Sequence, residues 1–193
     1  MISPRTARSI EGAWRVFLGD RSALSAFDLS TEGFWNSFGA IVFTAPTYLL
    51  IVLFDEQARL AADPPLVVGG ALYAARATAF VLDLATMPVL LALCAAPLGI
   101  ATRYPSYVIV RNWGSVLTAL PFAALAILSG YGLMPSGLGS LFSVVILIVV
   151  LRFHVEMARI TLGWTLGPAI GLAATEFVLG VFLVALIDAF FGI

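Results

Sequence analysis

Residues 141–153 read LFSVVILIVVLRF, an apolar run in which the first charged residue is Arg152. In lipid, every backbone N–H and C=O group must be hydrogen-bonded within its own segment, and a helix of this composition meets that requirement. The whole chain shares this character, because 61% of its 193 residues are hydrophobic and 11% are charged, whereas about 25% of the residues of a soluble domain are charged. The sequence therefore predicts an integral membrane protein.

Four further segments resemble this one, since a helix that crosses the bilayer core needs about 20 mostly apolar residues. The five predicted spans are approximately Trp35 to Phe54, Thr78 to Ala101, Gly114 to Gly132, Leu138 to Phe153 and Pro168 to Phe190. We expect the fourth, which is short, to lengthen at either end. The predicted fold is all-α, with a five-helix transmembrane domain over residues 31–193.

The arginines predict how the chain is oriented, because short cytoplasmic segments are enriched in positive charge. Only Arg59 and Arg76 fall outside if the N-terminus is cytoplasmic and the C-terminus is outside. The arginines on the cytoplasmic side are then Arg5, Arg8, Arg15, Arg21, Arg103, Arg111, Arg152 and Arg159. Lysine is absent from the sequence, which is typical of a GC-rich bacterial genome. We therefore expect a multi-pass protein of the bacterial inner membrane, with no cleaved signal segment.

Residues 1–30 form the predicted cytoplasmic N-terminal segment. Its apolar residues recur at helical spacing: Ile10, Ala13, Trp14, Phe17 and Leu18. The charged residues Arg8, Glu11 and Arg15 take the opposite side, and this pattern indicates an amphipathic helix in the membrane interface. An equally weighted alternative is that the helix covers the cytoplasmic ends of the spans.

The first span begins in FDLSTEGFWNSF, residues 27–38, where polar residues run directly into aromatic ones. Aromatic side chains gather where lipid headgroups meet hydrocarbon, so Phe34 and Trp35 mark the start of the span. Ser30 or Thr31 can cap the helix, and Glu32 suits the positive end of its dipole.

Asp83 and Glu176 are the candidate functional residues, because ionised side chains inside the bilayer are energetically costly. If their helices touch, the two carboxyl groups could share a proton or take opposite ends of a polar network. Arg76, two turns from Asp83, could act as its counterion. The alternative is a structural role in which each carboxyl group hydrogen-bonds to a neighbouring helix.

Three glycines at intervals of four, Gly163, Gly167 and Gly171, predict a helix face that packs closely against another helix. That helix could belong to this bundle or to a second copy, so a homo-oligomer is possible. Pro168 falls in the first turn of the span, where its missing N–H group is tolerated.

Basic residues in the two cytoplasmic connections could hold anionic lipid headgroups. These are Arg103, Arg111, Arg152 and Arg159. His154 is the only histidine, and we expect it on a solvated helix end, where Arg152 and Glu156 are spaced for an i,i+4 ion pair.

Several function classes are disfavoured by the sequence. The formal net charge of −1 offers no basic face for nucleic acid. Cys94 is the only cysteine, which excludes an intrachain disulfide or a thiolate metal cluster. The motifs HExxH, GxSxG and GxxxxGK[ST] are absent from the sequence. We expect no catalytic residue, no metal, no cofactor and no enzymatic activity.

Two stretches resemble motifs of the Yip family, whose members have five spans and a cytoplasmic N-terminus. DLSTEGFW, residues 28–35, resembles the family's DLYGPFW-like motif, and SGYGLMPSGLGSL, residues 129–141, resembles its GYSL...P stretch. The chain departs from the pattern at residues 30–32 and at Gly132. The resemblance implies a non-enzymatic protein. It also implies that the family positions are Asp28, Leu29, Gly33, Phe34, Trp35, Gly130, Tyr131 and Leu133.

The sequence thus favours a non-enzymatic membrane scaffold that binds a protein partner or anionic lipid at the cytoplasmic face. The alternative function is a small transporter, or an accessory permease subunit, in which Asp83 and Glu176 bind a proton or a solute.

Overall fold

A computed structural model describes residues 3–64 and 66–193 of the chain, and these residues contain helices and turns but no strand. Seven α-helices follow one another along the described residues. They are α1 (Pro4–Phe17), α2 (Thr31–Ser37), α3 (Ile41–Leu60), α4 (Gly70–Cys94), α5 (Tyr104–Gly130), α6 (Ser136–Leu162) and α7 (Leu166–Phe191). A short 3₁₀ turn, Phe38–Ala40, joins α2 to α3.

Five helical stretches among the described residues are long and apolar enough to cross a membrane. They are Thr31–Leu60, Gly70–Cys94, Tyr104–Gly130, Gly137–Leu162 and Leu166–Phe191. The predicted all-helical fold and its five membrane-length helices are therefore confirmed.

The boundaries of the spans differ from those predicted. The first stretch, Thr31–Leu60, extends beyond the predicted Trp35 to Phe54 at both ends. Helix α4 begins at Gly70, eight residues before Thr78, and ends at Cys94, because the apolar residues that follow form turns up to Gly99, which has a φ of +67°. Helix α5 begins ten residues before Gly114. Helix α6 continues nine residues beyond Phe153. Arg76 and Arg111, which the sequence placed outside the spans, thus lie within helices and pair with carboxylates on other helices.

The first membrane-length stretch begins with a capped turn, as predicted. The Ser30 Oγ accepts the backbone N–H of Gly33 at 3.1 Å, and the Asp28 carboxylate accepts both the hydroxyl and the backbone N–H of Ser30. These Ser30 hydrogen bonds lower the pKa of Asp28. Gly33 is required here, because a Cβ atom would collide with the Asp28 carbonyl. The capping residue is Ser30 and not Thr31.

Helix α1 packs on the bundle, against α5 and α6. Its buried side contains Ser9, Gly12, Ala13 and Val16. Trp14 is 51% exposed on the other side. The helix therefore covers part of the bundle, and the cytoplasmic location of this side stays a prediction.

The turn after α1 is held by a small polar network. The Arg15 guanidinium donates to Asp20 at 2.8 Å, and Ser22 donates to the same carboxylate through its hydroxyl and its backbone N–H. Hydrogen bonds from Ser22 and from Arg15 lower the pKa of Asp20 to about 2.

Helix α5 lies at the centre of the bundle and contacts α1, α2, α3, α4 and α6. All eight residues from Tyr107 to Gly114 are consequently buried. Helix α7 packs against α6 and α4, and its contact with α4 includes a small cluster of Ala75, Ala79 and Ile187.

The three glycines predicted to form one helix face do not lie on one helix. Gly163 is not in α7, because it ends α6 in a left-handed conformation with a φ of +69°. Gly167 and Gly171 are exposed on α7. Apart from chain neighbours and their own helix backbone, no described atom lies within 4 Å of a Cβ added at either glycine.

The second family-like stretch ends α5. A Cβ atom at Gly130 would collide with the ring of Phe54, so this glycine permits close packing of α5 on α3. Tyr131 contacts the same ring edge-on at 5.8 Å between centroids, and Leu133 is 71% exposed.

Candidate functional site

A buried ion pair joins α5 to α7. The Arg111 Nε donates to the Glu176 Oε1 at 2.9 Å, and the two residues are only 6% and 8% exposed. Arg111 was predicted to hold lipid headgroups in a cytoplasmic connection. That prediction is wrong, because Arg111 is the eighth residue of α5 and its guanidinium is satisfied inside the bundle.

The Glu176 carboxylate has two further partners on its second oxygen, Oε2. The His154 Nδ1 of α6 lies 3.3 Å away, and the Tyr107 hydroxyl of α5 donates to the same oxygen at 3.5 Å. His154 was predicted to lie on a solvated helix end, but its side chain is only 21% exposed. The Glu176 carboxylate on α7 therefore contacts side chains from both α5 and α6.

Asp83 of α4 completes this cluster of Asp83, Arg111, His154 and Glu176, which we term the ion network. The Arg111 Nη2 donates to the Asp83 backbone carbonyl at 3.0 Å and lies 3.7 Å from its carboxylate. Asp83 and Glu176 are thus in one network, as the sequence suggested. Because the Arg111 guanidinium pairs with both carboxylates, they take opposite ends of a polar network, which is the second of the two predicted arrangements.

The ion network lies well inside the spans. At about 1.5 Å of rise per residue, Arg111 is about 10 Å from the start of α5 at Tyr104. By the same measure Glu176 is about 15 Å from the start of α7, and Asp83 is about 16 Å from the end of α4. Charged groups at such depths normally face the bundle interior or a water-filled cavity and mark ion or substrate pathways.

A pocket of about 610 Å³ opens beside the ion network between the spans. Its polar lining comes from the network with Ser115 and Thr118, while α6 and α7 supply apolar residues such as Leu147 and Val181. Asp188 lines the far part of the pocket. Since Asp188 is twelve residues beyond Glu176, the pocket follows α7 for about 18 Å.

A second ionic cluster lies at the Asp188 end of the pocket. The Arg76 Nη1 is 2.6 Å from the Asp188 carboxylate, and its Nε is 3.4 Å from Asp55, which also pairs with Arg59 at 3.2 Å. The prediction that Arg76 serves as the counterion of Asp83 is therefore wrong, because α3 and α7 supply its carboxylate partners.

The other three arginines predicted to bind headgroups contact protein atoms. Arg103 donates to the Leu162 carbonyl at 2.6 Å, and exposed Arg152 donates to the Phe17 carbonyl at 2.9 Å. Arg159 pairs with Glu156 at 2.8 Å, so the predicted Arg152–Glu156 pair is replaced by an i,i+3 pair.

No group of three or more His, Cys, Asp or Glu within the described residues is arranged to hold a metal ion. Comparisons of the chain with protein-family models, with characterised proteins and with solved structures give no match. The resemblance to the Yip family stays a prediction.

Proposed function

We propose that the protein is a small membrane transporter, or the solute-binding subunit of one, and that the ion network is its binding site. The observation that carries this proposal is that the buried Glu176 carboxylate borders a pocket of about 610 Å³ within the spans. A buried ion pair by itself adds little stability, since apolar residues of similar volume often serve as well. Charged residues beside a cavity at this depth are typical of proton or solute pathways.

The arrangement supports binding of a proton or another cation. Two carboxylates, Asp83 and Glu176, share one guanidinium, so the network has a net charge of −1 when His154 is neutral. Histidine is a common proton shuttle. The 3.3 Å approach of the His154 Nδ1 to the Glu176 Oε2 allows a proton to pass between these atoms.

The proposal also includes the membrane in which the protein lies and the orientation of the chain in it. We place the protein in a bacterial inner membrane with the N-terminus in the cytoplasm and the C-terminus outside. Four arginines before the first span and Arg103, which precedes α5, support this orientation by their charge. Helix α1 then lies in the cytoplasmic interface, where its exposed Trp14 suits the headgroup region.

The test is proton flux into liposomes that contain the purified protein and a trapped pH-sensitive dye. After a pH gradient is imposed under a potassium clamp, the wild type should acidify the vesicle interior and Glu176→Gln should not. Glu11→Gln, a change at an exposed carboxylate on α1, is the matched control and should behave as the wild type. Both variants are first checked for helix content and monodispersity. Flux equal to the wild type in folded Glu176→Gln would contradict the proposal.

The scaffold function is a second candidate, because α1 and the residue that follows it carry exposed apolar side chains. Trp14 is 51% exposed and Leu18 is 60% exposed, while the opposite side of the helix is packed on the bundle. Deletion of α1 would expose the part of the bundle that it covers and could unfold the protein. The test therefore replaces only the exposed residues, as Trp14→Ser with Leu18→Ser. A scaffold should lose a partner that copurifies with the wild type from its own host. A transporter should keep its proton flux.

A further inference from the structure

Asp83 occupies an unusual position for a charged residue in a transmembrane helix. It is the fourteenth of the 25 residues of α4, and its side chain is 67% exposed. A carboxylate near the middle of a span faces a water-filled or polar space and avoids hydrocarbon. Because Asp83 lines the pocket, that space is the pocket beside the ion network.

The Asp83 carboxylate is also the least neutralised acidic group of the network. Arg111 makes its shorter ion pair with Glu176, at 2.9 Å, and lies 3.7 Å from the Asp83 carboxylate. The remaining hydrogen bond from Arg111 reaches the Asp83 backbone carbonyl instead. The pocket therefore presents one negative charge that its single buried arginine does not fully offset.

Between the ion network and Asp188, whose carboxylate is paired with Arg76 at 2.6 Å, the pocket wall is largely apolar. The apolar lining residues include Leu147 and Val150 of α6 and Val181, Val184 and Ala185 of α7. A volume of about 610 Å³ lies within the range of about 300–1,000 Å³ that is usual for small-molecule sites. An occupant matched to this pocket has an apolar body and one positively charged group at the end near Asp83.

We propose that the pocket binds an organic monocation, with its charged centre against the Asp83 carboxylate and its apolar body between α6 and α7. This inference rests on the proposed transport function, for which it names the solute class. An anion would have to separate Arg111 from Glu176, and a neutral apolar molecule would leave the Asp83 carboxylate only partly neutralised by Arg111.

The experiment uses two ions of similar size and opposite charge, tetraphenylphosphonium and tetraphenylborate. Binding of each to the purified full chain in mild detergent is measured by equilibrium dialysis. We expect tetraphenylphosphonium to bind the wild type, and Asp83→Asn to bind it at least tenfold more weakly. Glu11→Gln should match the wild type. Equal binding of both ions, or unchanged affinity in Asp83→Asn, would overturn the proposal, because apolar contact alone would then explain the binding.

A variant that fills the pocket shows whether binding is lost because the site is blocked or because the protein no longer folds. Gly180 lines the pocket, and no described atom outside its own helix backbone and chain neighbours lies within 4 Å of a Cβ added there. Gly180→Leu should therefore fill the pocket and abolish tetraphenylphosphonium binding. Gly171→Leu, an equally unobstructed position on α7 outside the pocket, should bind normally. Equal binding by the two leucine variants would place the cation elsewhere.

The result is also distinct from a failure of the transport proposal. Glu176-dependent proton flux without tetraphenylphosphonium binding would overturn the organic cation and leave transport supported. Binding that depends on Asp83 without any flux would support the site and contradict transport.

Discussion

The ion pair between Arg111 and Glu176 predicts a large loss of stability when Arg111 is replaced by methionine. At 2.9 Å, the attraction is about 6 kcal/mol for an effective dielectric constant of about 20. Removal of one partner leaves the Glu176 carboxylate only 8% exposed, with His154 and Tyr107 as its remaining neighbours. We expect Arg111→Met to lower the free energy of unfolding by about 3–5 kcal/mol.

The assay is unfolding by sodium dodecyl sulfate in mixed micelles, followed by far-ultraviolet circular dichroism. A double-mutant cycle combines Arg111→Met with Glu176→Gln, because the double variant no longer buries an unmatched charge. We expect it to lose at least 2 kcal/mol less than the sum of the single variants, within the range of about 0.5–3 kcal/mol seen for residues in contact.

Two results would contradict the prediction for the Arg111–Glu176 pair. Additive effects, within about 0.5 kcal/mol, would mean that the two side chains do not interact. A loss below about 1 kcal/mol in Arg111→Met would mean that the pair is solvated like a surface ion pair. Asp83→Asn serves as the internal comparison and should cost less than Arg111→Met, because Asp83 is 67% exposed and 3.7 Å from the guanidinium.

Three further predictions follow from the packing, the N-terminal turn and the topology. Gly114→Ala should destabilise the protein by about 1–3 kcal/mol, because the added Cβ would lie 2.5 Å from the Phe153 ring. Gly171→Ala, where the Cβ meets no obstruction, should stabilise α7 by up to about 1 kcal/mol. Unfolding in detergent measures both changes in stability. The pKa of Asp20 is lowered from 3.8 to about 2, so its stabilisation of the N-terminal turn should be complete above pH 4 and lost as the pH falls toward 2. The tryptophan fluorescence should change over this pH range. Asp20→Asn should abolish the pH-dependent fluorescence change. Alkaline phosphatase should be active when fused to the C-terminus and silent when fused within residues 95–103; the reverse pattern would contradict the orientation.

The helical bundle could be predicted from the sequence because its strongest determinant is local. An apolar segment such as residues 141–151 must satisfy its backbone internally, whatever surrounds it. The Ser30 cap is equally local, since its partner lies three residues away. The prediction of one glycine face failed because the spacing was applied across a helix end. A spacing of four defines one face only within one helix, and the left-handed Gly163 ends α6 before α7 begins.

The ion network could be predicted only in part, because its contacts join distant parts of the chain. The Glu176 partner of Arg111 lies 65 residues further along, and nothing in the local pattern around Arg111 identifies it. One indication was available, since three consecutive apolar residues, Val108, Ile109 and Val110, directly precede Arg111. For His154, the nearby Arg152 and Glu156 suggested a solvated surface, although the histidine itself faces α7.

The two ionic clusters give α4 a particular role in the proposed site. Asp83 contacts Arg111 at one end of the pocket, and Arg76, seven residues earlier on the same helix, contacts Asp188 at the other. The apolar contact of α4 with α7 includes Ala75, Ala79 and Ile187. The ionic contacts of Asp83 and Arg76 add to this apolar contact in positioning α4. A cation that binds Asp83 would compete with Arg111 for the carboxylate, and would thereby alter a contact that holds the pocket wall.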